Sequence, residues 1–257
     1  MYKDHRTAVV MPVHNEESFI EQAVSRVPDF VDLIIAVDDG SKDATWAKLS
    51  KLSDSRLVRL RHQANRGVGA ATTTGYRAAI KHGVELIAVM DGDGQMDGRD
   101  LHRLLDSAIA GADFVKGNRF LDKQSINEMP RARYIGNRLF SWLTRRAAGL
   151  DASLDAQCGY TVIRRAALKR INLDGLYDRY GFPNEMLFAA LGAGLKVECV
   201  PVKTVYGSEV SGINPFTSVP TILYLIARGW LRGGLAVKTG RRAIPITGGE
   251  RASEIGS

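Results

Sequence analysis

The chain has 257 residues, 45% of them apolar and 25% charged, so it can bury a sizeable core and is too apolar for disorder over most of its length. Its formal net charge of +7 fits nucleic acid, an anionic membrane surface or phosphorylated small molecules equally, and charge alone selects no partner. The two cysteines, Cys158 and Cys199, are far apart in sequence; they suggest neither a disulfide scaffold nor a zinc site and fit a reducing, cytoplasmic compartment.

Residues 7–11 form a compact apolar strand that Pro12 is expected to stop, with Val13-His-Asn-Glu-Glu17 as the loop behind it. The spacing of Phe19, Ile20, Ala23, Val24 and Val27 predicts a helix over 18–27. A second strand over 33–37 ends in acids, Asp38-Asp-Gly-Ser-Lys-Asp43, before a helix over 45–52 and a less apolar strand over 56–60. Asn65-Arg-Gly-Val-Gly69 then leads into a helix reaching about Lys81. These glycines follow the third strand, whereas a dinucleotide fingerprint belongs after the first, so a nicotinamide enzyme is not expected. They suit a loop beside a site, or a helix packed closely.

The apolar run Leu86-Ile-Ala-Val-Met90 stops at Asp91-Gly-Asp-Gly-Gln95. A buried strand ending at two carboxylates two positions apart reads as the rim of an α/β sheet, where ligands bind, and the pair can reach a hard divalent cation. The alternative is a solvated Asp/Gly turn. A helix over 101–110 and a short strand over 113–116 follow, ending at Gly117-Asn-Arg-Phe120. This alternation predicts an α/β fold with a mostly parallel central sheet covered by helices.

From Pro130 the rhythm changes. Tyr134, Ile135, Leu139, Phe140 and Leu143 can share an apolar helical face, while Arg131, Arg138 and Arg145 recur every seven residues on another. That second face is either solvated or receives a phosphate. The tract Tyr177-Asp-Arg-Tyr-Gly-Phe-Pro-Asn-Glu185 is a polar-aromatic loop, followed by a helix through about Leu191 and a strand over 195–200. Residues 220–235 combine apolar bulk with Tyr224, Trp230, Arg228 and Arg232, which suits a segment lying on a membrane surface. A helix packed on the domain, or on a second copy of the chain, is the alternative. No run reaches the length of a conventional membrane span, no secretory leader is evident, and the basic residues form no recognised nucleic-acid module.

Pro12-Val-His-Asn-Glu16, Val37-Asp-Asp-Gly-Ser41, Asn65-Arg-Gly-Val-Gly69, Asp91-Gly-Asp-Gly-Gln95 and Gly117-Asn-Arg-Phe120, taken in that order, resemble family 2 glycosyltransferases of the GT-A fold. The closer resemblance is to polyprenyl- and dolichyl-phosphate sugar synthases. Leu154-Asp-Ala-Gln-Cys-Gly-Tyr160 and Val200-Pro-Val202 extend it toward residue 215. It implies a GT-A domain over 1–215, to which the composition of the remaining residues adds a membrane-surface segment over 216–245 and a flexible tail over 246–257. Pro12, His14 and Glu16 would line the nucleoside pocket, with Asp39 against the base. Asp91 and Asp93, helped by Gln95, would hold Mg²⁺ or Mn²⁺ at the diphosphate, and Arg119 would sit beside the phosphates.

The implied reaction is inverting, from a nucleotide diphosphate sugar to a polyprenyl phosphate, whose anionic oxygen needs no dedicated base. Arg131 is the first choice to hold that acceptor, with Arg138 second, and Asp155 would orient sugar or acceptor. If a sugar hydroxyl were the acceptor instead, Asp155 would be the base. The tract Val205-Tyr-Gly-Ser-Glu-Val-Ser211 is more similar to the branches of the family that use UDP-glucose or UDP-N-acetylglucosamine than to the mannose synthases, which implies a UDP-sugar over GDP-mannose. Relatives often carry an arginine in that loop; here Lys203 is the cation available to replace it. Many relatives also carry C-terminal transmembrane helices, whereas this chain has only the interfacial candidate over 220–235, so it is expected to act peripherally on the cytoplasmic face of an anionic membrane.

Overall fold

The computed structural model describes residues 1–150, 154–204 and 215–233. In chain order the elements are β1 (Thr7–Val13), α1 (Ile20–Ser25), β2 (Leu33–Asp38), α2 (Thr45–Lys51), β3 (Leu57–Arg61), α3 (Val68–Lys81) and β4 (Leu86–Val89). They continue with α4 (Leu101–Ile109), β5 (Phe114–Asn118), α5 (Lys123–Glu128), α6 (Arg131–Ala148), β6 (Thr161–Arg164), α7 (Arg165–Leu168), α8 (Phe182–Gly192), β7 (Val197–Pro201) and α9 (Pro215–Gly233). Seven strands form one sheet in the order β3-β2-β1-β4-β6-β5-β7. All pairs are parallel except those of β6, which runs antiparallel between β4 and β5. The expected mostly parallel sheet is therefore present.

Every residue of β1 is buried, because both faces of the sheet are covered. Ala8, Val10, Ile35 and Ile87 pack on one side with α3 and α8, while Val9, Met11, Ile34 and Ala88 pack on the other with α1 and α4. The strand does not stop at Pro12. Its carbonyl accepts from the Gly92 N–H at 3.2 Å, as that of Val10 accepts from the Met90 N–H, and the bond its missing N–H leaves out falls where the paired run of β4 ends at Val89. Strand order reverses between β1 and β4, and ligands of α/β sheets bind at such a switch point. The loops after β1 and β4 carry the His14-Asn-Glu16 and Asp91-Gly-Asp93 motifs to that place.

The two glycines at the start of α3, Gly67 just before it and Gly69 in its first turn, act by close packing. A Cβ at Gly69 would lie 2.3 Å from the Tyr177 carbonyl oxygen and 2.7 Å from Phe182 Cδ2; one at Gly67, at φ +107°, would lie 2.4 Å from the Asp178 carbonyl oxygen. They let the 177–182 loop lie directly on the start of α3. Gly69→Ala is expected to destabilise the protein by about 1–3 kcal/mol by forcing that loop away. Gly136→Ala, with nothing within 4 Å of its Cβ, is the control and should gain a fraction of a kcal/mol from helix propensity, about 0.5. Thermal melts of the two variants check both signs.

Helix α6 departs from the expected division of faces. Phe140 and Leu143 pack on the core, but Ile135 and Leu139 are exposed, and so are Arg131 and Arg138. The apolar and basic residues expected on separate faces thus share the outer one. In α9, Ile222, Leu225 and Ile226 are buried, whereas Val219, Leu223, Tyr224 and Trp230 are exposed. Leu225 meets Gly181, and Gly229 lies against Phe188, so α9 is clamped to α8. Among the described residues, no helix is long and apolar enough to cross a membrane.

Candidate active site

The loop after β1 is held by the loop after β2. Asn15 N–H donates to Ser41 Oγ at 2.9 Å, Glu16 N–H to Thr45 Oγ1 at 2.8 Å, and Lys42 N–H returns a bond to Asn15 Oδ1 at 2.9 Å. Behind β4, the Gln95 N–H donates to Asp93 Oδ1 at 2.9 Å and Arg26 Nη1 donates to the Gly94 carbonyl at 2.6 Å. Gly94 sits at φ +71°, which closes this turn without strain. Backbone and side-chain bonds therefore aim both acidic motifs before any ligand arrives.

They face a cavity of about 1010 Å³. His14, Glu16, Asp91, Asp93 and Gln95 line one part of it, and Arg119, Arg133, Asn137 and Lys203 also line it. Its aromatic walls come from Phe19, Tyr76, Tyr180 and Phe182. Burial first, then the carboxylates of Asp93 and Glu16, push the Asp91 carboxyl up to about 7, with Arg119 and Lys116 pulling the other way. Such crowded negative charge suits a hard cation. Among the described residues, no three His, Cys, Asp or Glu side chains already converge as a metal centre.

Arg119 does not lie loose in the cavity. Its Nε donates to Asp155 Oδ2 at 2.5 Å and its Nη2 to Oδ1 at 2.9 Å; Oδ1 also accepts from the Gln157 N–H at 3.2 Å. Asp155 is fully buried and does not itself line the cavity. Both of its oxygens are engaged, which suits a residue that aims Arg119 and poorly suits a general base. Beneath them lies Lys116, also fully buried, whose Nζ donates to the Cys158 carbonyl and whose ammonium is pushed down by burial. Sequence inspection missed it, since a lone lysine in a short strand carries no pattern.

Four expected positions differ. Arg131 is exposed and does not line the cavity; two residues on, Arg133 does, with Asn137 one turn beyond it. Residues two apart on a helix point to nearly opposite sides, so the sevenfold arginine repeat marks the outer face and Arg133 the inner one. Arg138 is likewise exposed, its guanidinium 5.3 Å from the Phe120 ring centre. Asp39 is buried and lies outside the lining, because its oxygens are engaged elsewhere. Oδ1 meets His62 Nδ1 at 2.6 Å and the Arg66 N–H at 3.0 Å, and Oδ2 accepts from the Gly67 N–H at 2.6 Å. It orders the loop before α3. Pro12 is also outside the lining and contributes its backbone to the Gly92 turn. The 205–211 tract lies outside the described residues.

The sequence model of glycosyl transferase family 2 matches residues 8–171. A UDP-N-acetylglucosamine–dolichyl-phosphate N-acetylglucosaminyltransferase of Methanococcus voltae is 29% identical over 214 residues, covering 77% of this chain and 85% of that protein. A polyprenol monophosphomannose synthase of Mycolicibacterium smegmatis is 29% identical over 240 residues, covering 90% of this chain and 89% of that protein. Among solved structures, glucosyl-3-phosphoglycerate synthase from Mycobacterium tuberculosis, in complex with Mn²⁺, UDP-glucose and glycerol 3-phosphate, matches with a TM-score of 0.63. It is 18% identical, covers 90% of this chain and 81% of that chain, and so reports on the fold alone.

Proposed function

This chain belongs to glycosyl transferase family 2, and from that premise we propose that it moves a sugar from a nucleotide diphosphate to a polyprenyl phosphate, with inversion at the anomeric carbon. The observation that carries this reading is the cavity's second set of charges. Arg119, Arg133 and Lys203 line it together with the acidic motifs, while Asp155 has both oxygens occupied. Such a site suits an acceptor that arrives as an anion and needs no base.

Asp91 and Asp93 are the residues proposed to hold Mg²⁺ or Mn²⁺, with the Gln95 N–H fixing Asp93 and Glu16 close enough to influence Asp91. The bound cation would offset the charge that grows on the departing diphosphate. His14 and Phe19 border the donor side, and Arg133, with Asn137, takes the acceptor role expected of Arg131. An acceptor phosphate oxygen attacks C1, the bond from C1 to the diphosphate oxygen breaks, and the nucleoside diphosphate leaves with the electron pair. Arg119, aimed by Asp155, stabilises the phosphate charge during that exchange. Relatives named for UDP-N-acetylglucosamine with dolichyl phosphate and for polyprenol phosphate support the acceptor class. A UDP-sugar is the favoured donor and GDP-mannose the alternative. An acceptor with a long lipid tail places the enzyme at a membrane surface on its cytoplasmic side.

The test is a panel of UDP- and GDP-sugars incubated with a polyprenyl phosphate, with lipid-linked product read by mass spectrometry. Transfer to a dephosphorylated prenol or a free sugar as efficient as to the phosphate would reject the acceptor class. Arg133→Ala is expected to raise the acceptor KM by about tenfold or more, the loss of a charge-assisted contact, with donor KM nearly unchanged. Arg131→Ala, on the outer face, should keep the KM for a short-chain, water-soluble acceptor.

A further inference from the structure

Strand β7 ends at Pro201, and its last bond to β5 runs from the Val202 N–H to the Asn118 carbonyl at 3.4 Å. The next two residues leave the ladder, yet their N–H groups are held by side chains from distant segments. Lys203 N–H donates to Asp100 Oδ2 at 2.6 Å, and Thr204 N–H donates to Ser125 Oγ at 2.9 Å. Asp100 and Ser125 are both buried. The other Asp100 oxygen meets Arg103 Nη1 at 3.1 Å, and the Ser125 hydroxyl donates back to the Val202 carbonyl at 3.4 Å. Lys203 itself is exposed and lines the cavity.

The same turn touches the loop after β4. Thr204 forms an isolated antiparallel bridge with Met96, whose sulfur accepts the Asp91 N–H at 3.3 Å. Asp100 closes that connection from its other end, in the single turn Gly98–Asp100 that leads into α4. The connection between β4 and α4 thus grips residues 203 and 204 at two points. Lys203 is thereby brought to the side of the cavity that holds Asp91, Asp93 and Gln95.

We infer that Asp100 is a positioning residue for the transfer: through the Lys203 N–H it fixes the turn after β7, so that the Lys203 ammonium serves the diphosphate of the donor. The inference rests on the proposed nucleotide-sugar donor. It divides the cavity's cations, with Lys203 on the leaving group and Arg133 on the acceptor. A lysine is a point charge on a flexible stem, and on an unanchored turn it would sample mainly solvent. Fixing its backbone removes much of that freedom and leaves the ammonium available. A carboxylate is a strong anchor, because its bond to a backbone N–H is charge-assisted and short. The arrangement is costly to the fold. Burial pushes the Asp100 carboxyl up, and the Lys203 N–H and Arg103 offset that only in part. For packing alone an apolar side chain would serve at lower cost. Anchored on the loop that carries Asp91 and Asp93, Lys203 shares their frame. Charge that grows on the diphosphate as the bond to C1 breaks then meets a cation already in place.

A double-mutant cycle on the full chain tests the assignment. Its readouts are transfer to a short-chain prenyl phosphate, and calorimetric binding in Mn²⁺ of UDP or GDP, whichever the wild type takes up. Lys203→Ala should lower kcat by about tenfold or more and weaken nucleoside diphosphate binding by about as much. Asp100→Ala should reproduce both losses. The double variant should match Lys203→Ala within about twofold, although Asp100→Ala lowers Tm equally in both backgrounds. Asp100→Asn, whose side-chain carbonyl can still accept the Lys203 N–H, should recover most of the activity. If Asp100→Ala does not fold, Ser125→Ala takes its place in the cycle, since it frees the same turn at Thr204. Losses that multiply in the double variant would make Asp100 an ordinary structural residue and overturn the inference. Wild-type kinetics and binding in Lys203→Ala would overturn it too, as would a loss confined to acceptor KM. A cycle that closes in nucleotide binding, in a protein that glycosylates no prenyl phosphate, would support the positioning role while rejecting the proposed acceptor.

Discussion

Replacing Asp93 with asparagine is expected to lower turnover by about a hundredfold or more while leaving the fold intact. The side-chain carbonyl of asparagine can still accept the Gln95 N–H, so the turn behind β4 persists, but a cation loses a charged ligand. Excess chelator should do the same to the wild-type enzyme. A melting experiment gives a second readout. Without metal, the folded protein holds the Asp91 carboxyl up at about 7 against 3.8 for the ordinary group, through burial, Asp93 and Glu16. Between those values the folded state binds more protons than the unfolded one, so this group's stability contribution falls as pH rises toward 7 and stays low above it. Mn²⁺ added with UDP relieves that crowding only where Asp91 is ionised. The gain in Tm over UDP alone should therefore be larger at pH 8 than at pH 5, and smaller in the Asp93→Asn protein. Equal gains at both pH values, or full activity in chelator, would reject the metal site.

Asp155→Asn is expected to reduce both stability and activity, and the combination separates two roles. The Asp155–Arg119 pair is bidentate, with the carboxylate fully enclosed and the guanidinium reaching the cavity wall. Neutralising Asp155 removes the enclosed negative charge that balances the largely covered Arg119 guanidinium, at a cost of about 3–5 kcal/mol, or about 10 °C in Tm for a chain of this size. Turnover should fall with it, because Arg119 loses the contact that aims it. The double variant Asp155→Leu with Arg119→Leu should recover much of the stability and none of the activity, since a buried pair can be replaced by apolar groups but a phosphate contact cannot. A general base would behave differently. Asp155→Asn would then melt like wild type, abolish transfer, and remove an acidic limb from the pH profile. That outcome would reinstate a hydroxyl acceptor.

The hydrogen bonds between the 13–17 and 38–45 loops explain why the two acidic motifs occur together. Asp38 accepts the Ser41 N–H at 3.0 Å, and Ser41 in turn accepts from Asn15, so one loop is the scaffold of the other. Asp39, His62 and the Gly67 N–H make the next link, and the glycines at 67 and 69 bring the 177–182 loop against it. The cavity is thus bordered by segments far apart in sequence.

The sequence by itself determined the α/β alternation, the buried strands and the acidic ends of β1, β2 and β4. Those are local properties: a run such as Leu86-Ile-Ala-Val-Met90 can be satisfied only inside a covered sheet, and the carboxylates that follow it must emerge at the rim. It also carried the family resemblance, through short motifs in a set order. What only the tertiary structure decided was direction. Periodicity placed Arg131, Arg138 and Arg145 on one stripe of a helix, but it holds no information about which side of that helix meets the cavity. The answer depended on α8 and α9 covering the other side, and it put Arg133 within and Arg131 without. Asp39 and Asp155 read as ligand contacts because they are acids in motifs. In the fold their oxygens are engaged by His62, Arg119 and backbone N–H groups that lie two to thirty-six positions away. A carboxylate's partners are set by which chain segments fold beside it, and in these two cases the partners that arrived were structural.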